Sequence, residues 1–325
     1  MATALATFMA LPLVTLAPHG TPVDDLARLR LSLGPRAPRI LMKRDDLLSF
    51  GFGGNKVRKM QAVAAEAIAA GADTLITCGG VQSNHARVTA AAGAALGLDV
   101  VLVLNGRVPD ALTGNTRLDR LFGAEIRHVS AREERAPMME MAAAELRARG
   151  RRPFVVPLGA STVTGALGFG RGLVEIATSS LRPDVIVHAT SSGGTQAGLI
   201  AAAGLLGLKT RILGVSADDA AASLAATIRA LLDGVADRLG AKPARLGADR
   251  DAEVDDTQVG GGYGVPTPAS TEALELVARR EGILLDPVYT AKAMAGLIAR
   301  IKAGEFAADH TVLFWHTGGQ AGFFA

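Results

Sequence analysis

The sequence predicts an α/β protein of two lobes, each a parallel sheet covered by helices on both faces. Three observations carry that prediction. From about residue 70 onward, short apolar runs alternate with helical patterns, and the runs are apolar throughout, as in strands buried on both faces. The chain has 325 residues, 49% hydrophobic and 20% charged, enough for a large core and for two lobes. A glycine-rich stretch, "PLGASTVTGALGFGRG", separates two series of strand-helix alternation.

Each element follows from its own pattern. The stretch 57–71, "VRKMQAVAAEAIAAG", spaces apolar residues helically and closes on Gly71. Then come the strand "DTLITCG", the helix "NHARVTAAAGAALG" and the strand "DVVLVLNG". The helix "GNTRLDRLFG", the short strand "EIRHVS", the helix "APMMEMAAAELRARG" and the strand "PFVVPLG" complete the first series. The second series runs through the strand in "PDVIVHATSSGG", the helix "TQAGLIAAAGLLG" and the strand "TRILGVSA". A long helical stretch, the loop "VGGGYGVPTP", the helix "TEALELVARREG" and the strand in "HTVLFWHTGG" follow. No internal repeat and no low-complexity segment beyond alanine enrichment is present.

Several function classes are excluded at this level. The net charge of +3 is small for the length, and the densest basic run, "RARGRR" at 147–152, has no interleaved aromatics and sits at a helix end. It reads as a solvated helix terminus, not a nucleic-acid surface. One cysteine excludes an intramolecular disulfide framework and fits a reducing compartment. Cys78 follows "DTLIT" and reads as a buried thiol, with a catalytic thiol served by His85 as the alternative. The start is apolar but has no basic residue before Arg28, and Pro12 interrupts it, which argues against a secretory signal. No apolar run reaches membrane-spanning length. A cytoplasmic protein with no membrane or nucleic-acid partner and no metal is expected.

The chemistry-bearing motifs fall at the predicted strand ends, where ligands collect in such folds. In "SFGFGGNKVRK" (49–59), Gly51, Gly53 and Gly54 permit backbone angles that other residues avoid and bring Lys56 to a loop-to-helix junction. Lys56 there can be a phosphate clamp, a Schiff-base nucleophile or a solvated helix-start residue. "CGGVQSNH" (78–85) places Ser83 and Asn84 at a helix start, where free amides can hold a carboxylate or phosphate. "TSSGGTQAG" (190–198) exposes consecutive backbone N–H groups with added hydroxyls. It lacks a Walker lysine and the dinucleotide spacing, and suits a lone phosphate monoester. "DPVYTAKAM" (286–294) and "HTGG" (316–319) complete the set. A phosphate cradle without nucleotide machinery, one placed lysine and an anion-binding Ser-Asn turn are what pyridoxal phosphate chemistry needs, and they favour the Schiff-base reading of Lys56.

With "KRDDLLSFGFGGNKVRK", "GVQSNHARVTAAA", "GGGYGVP", "EGILLDPVYTAKAMAGL" and "FWHTGG" in order from about residue 8, the chain resembles the D-cysteine desulfhydrase and 1-aminocyclopropane-1-carboxylate deaminase family. These are fold-type II pyridoxal phosphate enzymes, relatives of the tryptophan synthase β chain. The resemblance implies that Lys56 holds the cofactor aldehyde and that Asn84 bonds its phenolic oxygen. Ser192, Gly193, Gly194 and Thr195 would hold its phosphate, and Tyr289 would stack on its ring. Ser83 and His85 would belong to a carboxylate-binding turn, with Tyr263 over the substrate. It also implies a homodimer. The expected division is a large cofactor-binding domain of residues 1–54 and 166–325, with a small α/β domain, 55–165, inserted in it.

Within that family the deaminases carry Glu after the Tyr of "DPVY" and Leu before the last Gly-Gly, where this chain has Thr290 and Thr317. Neutral hydroxyls beside the ring nitrogen leave it mostly unprotonated, which suits prompt loss of a good leaving group such as thiolate. His85, where the deaminases have Gln, points the same way. The expected activity is β-elimination from a small amino acid, D-cysteine first. A deaminase of the cyclopropane substrate, or a lyase for another β-substituted amino acid such as cysteate, is the alternative.

Overall fold

The computed structural model describes residues 2–17, 20–107, 111–247 and 252–325. Among them are ten strands: β1 (Val23–Asp25), β2 (Arg39–Arg44), β3 (Thr74–Gly80), β4 (Asp99–Asn105), β5 (Glu125–Val129), β6 (Pro153–Val156), β7 (Val185–Thr190), β8 (Arg211–Ser216), β9 (Glu253–Asp255) and β10 (Thr311–His316). The helices are α1 (Ala2–Met9), α2 (Ala27–Leu33), α3 (Lys56–Ala69), α4 (Asn84–Leu96), α5 (Gly114–Leu121) and α6 (Arg135–Ala148). They continue with α7 (Val163–Ala177), α8 (Gly194–Leu205), α9 (Ala221–Leu239), α10 (Pro268–Glu281) and α11 (Thr290–Lys302).

The strands form two sheets, of order β1-β2-β10-β7-β8-β9 and β5-β4-β3-β6. Every pairing is parallel except that of β1 with β2. The four-stranded sheet lies wholly between residues 74 and 156, so the chain leaves the larger sheet after β2 and returns to it at β7. In each sheet the strand order reverses once: β8 and β10 lie on opposite sides of β7, and β4 and β6 on opposite sides of β3. Crevices form at such reversals, outside the carboxyl ends of the strands.

Helices cover both faces of both sheets, which is why the strands are apolar without alternation. In the larger sheet Ile186, Leu313 and Trp315 pack against α7, α8 and α9, while Val187, Val312 and Phe314 pack against α2, α10 and α11. In the smaller sheet Leu75 and Leu102 face α3 and α4, whereas Ile76, Cys78 and Val101 face α6. Cys78 is thus a buried core thiol, its pKa raised by burial, and it does not line the cavity described below. No described helix is long and apolar enough to cross a membrane.

Two local features differ from the sequence reading. The glycine-rich stretch between the two series is largely helical, as α7. Its glycines are close-approach positions: a Cβ at Gly168 would lie 2.7 Å from the Ala62 Cβ, and one at Gly170 would lie 2.8 Å from the Gly198 carbonyl oxygen. They let α7 pack tightly between α3 and α8, and the contacts outweigh glycine's weak helix propensity. "DPVYTAKAM" does not follow a strand; it is the start of α11, entered from an irregular segment.

Candidate active site

One cavity of about 630 Å³ opens between the carboxyl ends of the two sheets. Gly80 and Asn105 reach it from β3 and β4, Thr190 from β7, and Thr317 from just past β10. Lys56, Ser83, Asn84, His85, Ser192, Gly193, Thr195, Tyr263, Tyr289 and Thr317 all line it. Residues spread from 56 to 317 along the chain therefore face one space.

Lys56 is the first residue of α3, placed by a loop in which Gly51, Phe52, Gly53 and Gly54 all have positive φ, from 53° to 99°. A Cβ at Gly53 would lie 2.6 Å from the Asp46 carbonyl oxygen, so the tight path needs glycine there. Asn55 joins three parts of the site. Its N–H donates to the Thr317 carbonyl at 3.0 Å, and its side-chain amide donates to Thr195 Oγ1 at 2.9 Å. Three residues further on, buried Arg58 bonds Asp45 and Glu175, which pins the start of α3. Burial lowers the Lys56 amine to about 8, so a useful fraction is unprotonated near neutral pH.

Ser83 is the N-cap of α4, its Oγ accepting from the Ala86 N–H at 3.2 Å. The cap is seated against Gly79, where a Cβ would come within 2.4 Å of that oxygen. His85 lines the cavity in its neutral form. It is buried, Nε2 bonds Thr77 Oγ1 at 2.8 Å, and burial followed by Lys56 and Lys59 holds its pKa well below the usual histidine value.

The 192–195 turn joins β7 to α8. Gly193, at φ 75°, precedes the first helical residue, Gly194. Gly194 lies just behind the cavity wall: a Cβ there would meet Ser161 Oγ at 2.7 Å and Lys59 Nζ at 2.9 Å. Lys59 is fully buried, bonded to the Gly159 carbonyl at 3.1 Å and Ser161 Oγ at 3.3 Å, with no carboxylate partner among the described residues. Burial, and next Lys56, push its pKa well down. An uncompensated buried amine beside a helix N-terminus and a turn of small residues is a site built for an anion. The residues present therefore fit the phosphate of pyridoxal phosphate, with a lysine at hand for its aldehyde.

Tyr289 precedes α11, and its hydroxyl bonds that of Tyr263 at 2.5 Å, ring centroids 5.8 Å apart. Burial raises both phenols, Tyr289 well above the usual value, so both stay protonated. Thr290 departs from the expectation that it neighbours the cofactor ring. It does not line the cavity; its hydroxyl donates to Asp286 Oδ1 at 2.7 Å and accepts from the Asp286 N–H at 2.7 Å. It serves the turn that carries Tyr289, whose N–H also donates to Asp286. Thr317 alone of that pair faces the cavity.

Sequence reasoning missed Asn55, Lys59 and Ser161, although Lys59 stands three residues after Lys56 on the same helix face. It also missed the mouth of the cavity, where Arg132 pairs with Asp218 at 3.0 Å and its guanidinium lies 5.5 Å from the Tyr263 ring centroid. No described group of three His, Cys, Asp or Glu residues could hold a metal ion.

A two-sheet α/β fold with a buried lysine, a phosphate cradle and an anion-binding helix start in one crevice defines the pyridoxal phosphate class. The comparisons agree. The family model described as "Pyridoxal-phosphate dependent enzyme" matches residues 14–318, and the chain belongs to that family. It is therefore an enzyme with pyridoxal phosphate as cofactor. It is 40% identical over 313 residues to a D-cysteine desulfhydrase of Salmonella schwarzengrund (strain CVM19633), covering 94% of this chain and 93% of that protein. A putative 1-aminocyclopropane-1-carboxylate deaminase of Pyrococcus furiosus is 39% identical over 319 residues, covering 96% and 93%. The crystal structure of an ACC deaminase homologue superposes with a TM-score of 0.91 at 38% identity, over 100% of this chain and 97% of that one.

Proposed function

We propose that the enzyme is a carbon–sulfur lyase that eliminates the β substituent of a small amino acid, with D-cysteine as substrate. D-cysteine and water give pyruvate, hydrogen sulfide and ammonia. The observation that carries this reading is the meeting of Lys56, the Ser83 turn and the 192–195 cradle in one cavity. Pyridoxal phosphate, when bound, supplies an electron sink that makes the α proton of an amino acid acidic. Lys56 would hold its aldehyde, and Ser192, Gly193, Gly194, Thr195 and Lys59 its phosphate.

The protein's own groups do the rest. The start of α4 offers Ser83 and first-turn amides to the substrate carboxylate, which fixes the amino acid by its invariant end. Lys56, with its amine lowered to about 8, removes the α proton as general base. The neutral Tyr263–Tyr289 pair caps the cavity and can donate a hydrogen bond to a departing thiolate. Thr317 in the cavity, where the deaminases carry Leu, supports the desulfhydrase branch. The setting we infer is a cytoplasmic homodimer, checked by light scattering of the purified protein.

The test measures 2-oxo acid and ammonia release from D-cysteine, L-cysteine, β-chloro-D-alanine, L-cysteate and the cyclopropane substrate. D-cysteine and β-chloro-D-alanine should be turned over best. Efficient opening of the cyclopropane, with little sulfide from D-cysteine, would assign the chain to the deaminase branch. Borohydride should fix the cofactor on Lys56.

A further inference from the structure

Arg87, on α4, is 1% exposed, and the chemistry above does not use it. Its guanidinium forks across two segments. Nη1 donates to the Gly51 carbonyl, Nη2 to the Gly53 carbonyl at 3.2 Å, and Nη2 also reaches Asn84 Oδ1 at 3.5 Å. Gly51 and Gly53 belong to the positive-φ loop that delivers Lys56, and Asn84 is the first residue of α4. Asn84 Oδ1 accepts a second bond, from Asn115 Nδ2 at 3.0 Å. With its oxygen held by two donors, Asn84 is left with its amide N–H2 for the cavity that it lines. An Asn side chain is equally able to present oxygen or nitrogen; here its neighbours decide.

We propose that Arg87 is a positioning residue. It ties the Lys56 loop to the Ser83–Asn84 turn and turns Asn84 so that a donor, not an acceptor, meets the phenolic oxygen of the cofactor. Arg is suited to this because its planar fork reaches several acceptors in fixed directions, which a lysine ammonium on a flexible stem does not. The fork also braces a loop of four consecutive positive-φ residues, one of them Phe52, a conformation that side chains other than glycine rarely adopt. This inference rests on the Lys56 assignment made under the proposed function and on the contact between Asn84 and the cofactor's phenolic oxygen that the family resemblance implies.

The experiment compares the purified holoenzyme with Arg87→Met, Asn84→Ala and the double variant. Arg87→Met should move the visible absorption maximum in the same direction as Asn84→Ala and release cofactor about tenfold faster. The double variant should show little beyond Asn84→Ala alone, because the two side chains act through one contact. If Arg87→Met does not fold, Arg87→Lys replaces it, with a smaller shift of the same sign expected. A variant that melts lower but keeps the unmodified spectrum and release rate overturns the inference, as does full additivity in the double variant. Borohydride reduction of the unmodified protein separates the two levels. Label on another lysine overturns the Lys56 assignment and this inference with it, whereas label on Lys56 with unchanged Arg87 variants overturns the inference alone.

Discussion

Replacing Lys56 by Met should stabilise the cofactor-free protein at neutral pH while abolishing activity. Burial holds the Lys56 amine at about 8 in place of the usual 10.5. At 1.36 kcal/mol per pKa unit, keeping it charged in the folded state costs at most ~3.4 kcal/mol. Lys56 borders the cavity, and water there screens part of this, leaving about 2 kcal/mol. The sign follows from proton binding. At pH 7 the amine is wholly protonated in the unfolded chain and mostly so in the folded one, so the folded protein carries nearly the whole cost. As pH rises through 8 the folded amine loses its proton while the unfolded one keeps it up to 10.5, and stability recovers across that window. The cofactor-free Lys56→Met protein should therefore melt about 3 °C above the unmodified one at pH 7, a chain of this length shifting by roughly 1.5 °C per kcal/mol. The gap should close towards pH 10.5. Scanning calorimetry from pH 6 to 10.5 reads both. A gap of equal size at pH 7 and 10, or none at pH 7, would refute the argument that burial strains a charged Lys56.

Three further outcomes follow from packing around the site. Gly194→Ala puts a methyl 2.7 Å from Ser161 Oγ and 2.9 Å from Lys59 Nζ, so cofactor affinity should fall by about a hundredfold with the circular dichroism spectrum unchanged. Ser83→Ala removes the α4 cap and should lower stability by about 1 kcal/mol, raise substrate KM at least tenfold and leave cofactor absorbance in place; wholesale cofactor loss would make Ser83 structural only. Thr290→Glu forces a buried carboxylate against Asp286, and the melting temperature should drop by several degrees whether or not cofactor is bound.

The parts of the site legible in the sequence were those with a local cause. Gly51, Gly53 and Gly54 announce a loop that only glycine can follow, and that loop delivers Lys56. Ser83 is a good cap because of its own hydroxyl, and the small residues at 192–195 expose their own amides. Each can be read within a few positions. What escaped depends on partners distant in the chain. Lys59 becomes informative only once Ser161 and Gly194 are seen beside it. The Arg132–Asp218 pair joins residues 86 positions apart. Thr290 was placed by analogy with a carboxylate position, but Asp286, four residues earlier, claims its hydroxyl. The glycines of α7 read only as a separator between the two series, because the contacts that require them, with Ala62 of α3 and Gly198 of α8, are made across the fold.

The position of β10 has a consequence for the order of events during synthesis. β2 leaves the ribosome well before its parallel neighbour β10, residues 311–316, and the carbonyl that receives the Asn55 N–H belongs to Thr317. The smaller sheet, whose strands all lie within 74–156, can close while the chain is still growing. Until residues 311–317 emerge, β2 has no partner on the β10 side and the start of α3, though pinned by Arg58 to Asp45 and Glu175, lacks its bond to the Thr317 carbonyl. The lysine is thus translated well before the strand whose end helps to hold it, so a chain that stops short of Thr317 should hold the aldehyde less firmly in register.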